Sequence, residues 1–144
     1  MITNERQYRI TRNQLAQFER AHAAAIDNQP GPGVHPRIHQ AMQEGLASQM
    51  DDLREQVGRY EDLKAGRVST AVLTSLVGLL STLIEARIAA GLTQKMLSER
   101  LGVAEQQVQR WESTTYAGVS VERVQTVADA LGLAITEEVR YPVG

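Results

Sequence analysis

The chain of 144 residues carries 15 basic and 17 acidic side chains, for a formal net charge of −2 and a sequence pI near 5.9, so it lacks the global basic excess of a non-specific nucleic-acid binder. Hydrophobic residues make up 42% and aromatic residues 4%, which suits helices packed through aliphatic side chains better than a sheet. The absence of cysteine excludes disulfides and thiolate metal sites, and a reducing cytoplasm is the expected compartment.

The start, MITNERQYRITRNQ, is charged and does not read as a signal peptide. A first helix is predicted over Thr11 to Ile26. Thr11 caps it, Gln14 completes a capping box, and Leu15, Phe18, His22, Ala25 and Ile26 share one face. The stretch NQPGPG, Asn28 to Gly33, stops it through proline and glycine.

A second helical pattern follows His35 and Pro36 and runs to about Ala65, with Gly66 as its stop. Its apolar positions are Ile38, Met42, Leu46, Met50, Leu53, Val57, Tyr60 and Leu63. From Leu46 to Tyr60 the spacings alternate four and three, a short heptad seam. A helix of this length reaches about 45 Å, more than a small core needs. Gly45 and Gly58 each cost roughly 1 kcal/mol within it, so it requires packing to persist. Residues 1–66 are therefore expected to form a helical hairpin, and Leu46, Met50, Leu53, Val57 and Tyr60 are assigned as the seam that meets a second copy. The plainer alternative has both helices covering the C-terminal domain.

Residues 67–74 are β-branched and roughly alternating, a linker or short strand. The most apolar run, Val72 to Ile84, is broken by Thr74, Ser75, Gly78, Ser81 and Thr82 and is too polar to span a bilayer. Residues 75–135 read as short, dense helices, and residues 136–144 as an extended tail that could pair Ile135–Val139 with Val68–Val72.

Within the dense region, Thr93 caps a helix starting at Gln94, whose inner face is Leu97 and Leu101. Gly102 can take the positive torsion of a sharp turn. A second helix, Glu105 to about Ser113, turns Val108 and Trp111 inward, and the small Ser98 lets it cross closely. Helix, glycine turn, helix is the plan that lays the second helix in the major groove of DNA.

The segments RIAAGLTQ, LSERLGV and VQRWE, from Arg87 onward, with VADALGL behind them, resemble the XRE family of phage-repressor and Cro-like regulators over about Leu79 to Leu133. With the N-terminal hairpin, the arrangement also resembles small antitoxin-type regulators of the HigA kind. The resemblance implies an all-α fold, the hairpin followed by a five-helix lambda-repressor-like helix-turn-helix domain. It implies a salt bridge between Arg87 and Glu112, a pairing that burial of Arg87 among Leu83, Ala90 and Leu92 requires independently. It also implies a phosphate contact at Gln94, in keeping with the free N–H groups of a helix start.

Base readers are expected in the first turns of the second helix: Ala104, Glu105, Gln106, Gln109 and Arg110. Gln106 suits adenine, Arg110 guanine or a phosphate, and Glu105 the cytosine amino group. Glu105 also sits well at a helix start for purely local reasons. Ala104 departs from the Ser or Thr usual in related sequences. Lys95, Gln107, Thr114, Thr115 and Tyr116 are the expected backbone contacts.

From Ser75 to Ile135, Arg87, Lys95, Arg100, Arg110 and Arg123 face Glu85, Glu99, Glu105, Glu112, Glu122 and Asp129, five against six. A single copy should hold non-specific DNA weakly, at ~10⁻⁴ M or worse. A homodimer on a double-stranded operator resolves this by joining two weak half-sites. The alternative is an antitoxin that binds a cognate toxin protein and autoregulates its operon. An enzyme is not expected: His22 suits a packed face, and His35 and His39 lack further ligands beside them for a metal. No cofactor and no membrane partner are expected.

Overall fold

The computed structural model describes residues 1–28 and 30–144, and it divides into two compact units, Met1–Thr70 and Ala71–Gly144. The architecture is all-α, and no strand occurs among the described residues.

The first unit is an antiparallel hairpin of α1, Glu5–Asp27, and α2, Pro36–Lys64. Helix α1 starts six residues earlier than Thr11, because Asn4 is the cap: its side chain accepts from the Gln7 amide at 2.9 Å. Gln7 in turn accepts from the Thr3 amide at 2.8 Å, a reciprocal cap that the charged stretch ERQYRI hides from an apolar-periodicity reading. In the expected NQPGPG stop, Gln29 lies outside the described residues. Helix α2 opens on Pro36, and His35 Nδ1 accepts from the Arg37 amide at 3.1 Å, which gives that imidazole a capping role. It closes at Gly66, φ +69°, with the Arg67 amide donating to Asp62 O at 2.9 Å.

Tyr8 stacks on Tyr60 with centroids 4.9 Å apart, Arg54 pairs with Glu19 at 3.1 Å, and Gln43 donates to Ala25 O at 2.8 Å. These contacts set the register, and they turn the α2 seam toward α1. Met50, Val57 and Tyr60 are buried, and Leu46 and Leu53 are half-buried. This corrects the assignment of those five residues to a second copy: α1 supplies the apolar partner that the seam needed, within one chain.

The second unit holds α3, Leu76–Ala89; α4, Gln94–Leu101; α5, Glu105–Ser113; and α6, Val121–Ala130. Leu83, Ile84, Leu97, Val108, Tyr116 and Val127 are its largest fully buried side chains. The all-α class stands, but four helices rather than five occur here among the described residues. After Gly132, φ +70°, the tail is rich in β-branched residues, ends near Pro142, and forms neither helix nor strand. Residues 67–73 likewise carry no strand, so the ribbon between Val68–Val72 and Ile135–Val139 is absent.

Candidate nucleic-acid interface

Two short helices and the turn between them build this surface. Thr93 Oγ1 accepts from the Met96 amide at 3.1 Å and starts α4. Gly102 ends it at φ +67°, a left-handed torsion that would strain any side chain with a Cβ. Ser98 is buried, donates to Lys95 O at 2.7 Å, and leaves room for α5 to cross α4. Ala104 occupies the cap of α5 with no side-chain hydrogen bond; the Gln107 amide donates to Ala104 O at 2.9 Å, and no side chain caps the helix start.

Helix α5 is two-sided. Val108 and Glu112 are buried and Gln107 and Trp111 half-buried, while Glu105, Gln106, Gln109 and Arg110 are exposed. Gln106, Gln109 and Arg110 are three and four residues apart and form one polar edge. Gln109 Nε2 donates to Glu105 at 3.2 Å, which ties the one acidic residue of this edge to its neighbour.

Behind the edge sits a buried ionic cluster. Arg87 donates from Nε to Glu112 Oε1 at 2.5 Å and from Nη2 to Oε2 at 2.7 Å, and both side chains are at most 3% exposed. Arg87 Nη1 also donates to Leu92 O at 2.9 Å. The bidentate geometry is what makes burial of both charges tolerable. Gln94 Nε2 donates to Glu112 Oε2 at 2.7 Å. The side-chain nitrogen expected at a phosphate is thus bound inside the protein, while the residue still opens α4.

Lys95 is exposed on the first turn of α4. Thr114 and Thr115 are exposed after α5, and the Thr114 hydroxyl donates to Trp111 O at 3.2 Å. Tyr116 does not join them. It is fully buried, with its ring tilted against Trp111 at 6.2 Å, so a backbone contact from it is ruled out. Thr115 and Tyr116 take φ of 51° and 57°, and this left-handed pair swings the tyrosine inward. Burial, and then the Glu112 charge, raise the Tyr116 phenol above its usual range, with Arg87 opposing.

A groove of about 450 Å³ lies beside α5, lined by Arg110, Trp111, Thr114, Gly118, Ser120 and Arg123 among others. The Arg123 guanidinium stands 5.6 Å from the Trp111 ring centre. In the sequence Arg123 stands out only as a charge; Ser120, which accepts from the Arg123 amide at 3.2 Å as the cap of α6, is the signal that it opens a helix.

No single helix among the described residues is long and apolar enough to cross a membrane. No curated protein and no solved structure matches the chain. A family model described as helix-turn-helix matches residues 83–137, which take in the second half of α3, all of α4 to α6, and the start of the tail. The chain therefore carries a helix-turn-helix domain in that span.

Proposed function

We propose that the protein is a dimeric, sequence-specific regulator of transcription that acts in the cytoplasm as a repressor on a double-stranded operator. The exposed edge of Gln106, Gln109 and Arg110, standing on a helix locked from behind by Arg87 and Glu112, carries this reading. Gln106 offers a paired donor and acceptor that match adenine, and Arg110 a fork that matches guanine. Ala104, Glu105 and the half-buried Gln107 flank that edge. Lys95, Thr114 and Thr115 supply backbone contacts around it, and Arg123 adds a second cation beside Arg110 along the groove. The amide hydrogens at the start of α4, rather than the Gln94 side chain, are the donors offered to a phosphate there.

Selection of bound sites from random duplex DNA tests this. The expected result is a twofold site with half-site centres about 34 Å apart. Recovery of unenriched sequence, at the weak affinity of a near-neutral surface, overturns it.

A second reading makes the chain an antitoxin of the HigA kind whose DNA binding is autoregulatory. The exposed apolar side chains of the extended tail, Val139, Tyr141 and Val143, favour it, since they offer a protein partner a segment to capture. Relief by this chain of growth arrest caused by a neighbouring gene's product supports that reading; loss of relief on deleting residues 136–144 assigns the tail.

A further inference from the structure

The groove beside α5 concentrates positive charge in a chain whose balance is acidic. Arg110 and Arg123 both line it and no acidic side chain does, although acidic residues outnumber basic ones by 17 to 15 in the sequence. Both arginines are exposed, and neither forms an ion pair among the described residues. Two such cations repel each other, and an anion that meets both relieves that repulsion. The Arg123 guanidinium stands over the Trp111 ring, 5.6 Å from its centre, which steadies the cation but leaves its charge without a carboxylate. Trp111 is steadied in turn by the buried Tyr116 ring, tilted against it at 6.2 Å. Ala117 and Gly118 add little or no side chain to the lining, and a Cβ placed on Gly118 would meet nothing within 4 Å. The volume, about 450 Å³, falls among clefts that hold small ligands, roughly 300–1,000 Å³.

We propose that this groove is an effector site for a small phosphate monoester, whose dianion is held between Arg110 and Arg123 and takes Arg110 away from DNA. A monoester carries roughly −1.5 to −2 charges at neutral pH and so matches both guanidinium groups. A phosphodiester of the DNA backbone carries a single charge and leaves the second arginine without a counter-charge. The planar fork of arginine presents paired donors that fit phosphate oxygens two at a time. The organic part of the ester lies along Trp111, Ala117 and Gly118, where no further charge lines the groove. Arg110 gives the site its consequence, because it also stands on the exposed edge with Gln106 and Gln109. One guanidinium cannot serve a guanine and an effector together, so each ligand lowers the affinity for the other by the same factor. The regulatory meaning rests on the operator reading, while the site itself rests on the groove alone.

Trp111 is the single tryptophan of the chain and lines the groove, so its fluorescence reports occupancy. Phenyl phosphate is the monoester probe and diethyl phosphate the diester control, each titrated into the full chain at constant ionic strength, with calorimetry beside fluorescence. Phenyl phosphate should bind and change the emission, and diethyl phosphate should bind at least about tenfold more weakly. Arg110→Gln and Arg123→Gln should each weaken phenyl phosphate binding at least about tenfold with unchanged circular dichroism. Arg20→Gln, at an exposed arginine of α1, should bind the probe like the parent. Saturating phenyl phosphate should lower the parent's affinity for its selected operator at least about tenfold, and that of Arg123→Gln less than about twofold, whatever its starting affinity. No heat and no change in emission at millimolar probe overturns the site. Equal binding of the two probes assigns the groove to the DNA backbone and overturns the effector. Probe binding that leaves operator affinity unchanged overturns the competition. A chain that binds phenyl phosphate in the expected pattern but selects no DNA sequence overturns the operator reading instead and leaves the site standing.

Discussion

Gln94 Nε2 reaches Glu112 Oε2 at 2.7 Å, and so joins the first residue of α4 to the last turn of α5 across 18 positions of sequence. Glu112 also accepts both forks of Arg87 from α3. Three helices are thereby pinned at one carboxylate, and the angle at which α5 presents its outer edge depends on a residue that never meets DNA in the proposed complex.

Removing that carboxylate should cost more than any surface change. Glu112→Ala leaves the Arg87 guanidinium buried and uncompensated, with an expected loss of about 3–5 kcal/mol. In a domain of this size the melting temperature should drop by at least about 10 °C. Replacing Arg87 and Glu112 together by Met and Leu should recover much of the loss, because neither charge then remains to be desolvated. Equal melting temperatures for Glu112→Ala and the parent would show that the pair does not hold the fold.

Ala104 is the weak point at the start of α5, since nothing from its side chain satisfies the first amides. Ala104→Ser should add about 1 kcal/mol of stability by accepting from one of them. Chemical denaturation should show a higher midpoint at unchanged slope. A midpoint equal to the parent's means the cap does not form.

How far these sites were legible depended on the range of the interaction. Pro36, Gly66, Thr93 and Gly102 announce helix ends because caps and left-handed turns are chosen within a few residues. Asn4 escaped because Glu5 to Ile10 are good helix formers without an apolar rhythm. The α2 seam was visible as a period, but a period says which face is buried and not what buries it. Here α1 does. The Gln94 side-chain partner is set by how two helices cross, which no local spacing encodes. Tyr116 was read as exposed because a non-glycine left-handed pair is not expected in a loop that has Gly118 close by.

Tyr116 should also make stability depend on alkaline pH. Its hydroxyl is buried without a hydrogen-bond partner among the described residues, and its folded-state pKa is raised, chiefly by burial. A raised folded pKa means that the contribution is whole below the unfolded value, about pH 10, and is lost as the pH climbs above it. Tyr116→Phe removes the ionisation and the unpaired hydroxyl together, so it should be as stable as the parent or up to about 1 kcal/mol more stable. It should also flatten the decline in melting temperature between about pH 10 and 11. An identical decline in both proteins would assign it to other tyrosines, such as Tyr8, whose phenol is raised by its bond to Glu61.

The reading edge itself is tested by truncation. Gln106→Ala and Arg110→Ala should each weaken binding to the selected operator by roughly 1–3 kcal/mol, with far-ultraviolet circular dichroism unchanged because both side chains are exposed. Gln106→Ala should also relax preference at one base pair per half-site. Parent-like affinity in both variants would remove α5 from the groove.

Glu105 separates a DNA role from a local one, because the two make opposite demands. At the first turn of α5 its charge favours the helix, so Glu105→Gln should lose about 0.3–1 kcal/mol of stability whatever the protein binds. If the same edge approaches phosphates, the substitution also removes a repulsion, and affinity for random duplex DNA should rise about threefold to fivefold at low salt. The gain should shrink as salt is added, and discrimination between operator and random DNA should fall, since the carboxylate no longer rejects wrong contacts. Stability and affinity thus move in opposite directions only if Glu105 faces the groove. A small loss of stability with no change in affinity for either DNA would leave Glu105 as a helix-start residue and nothing more.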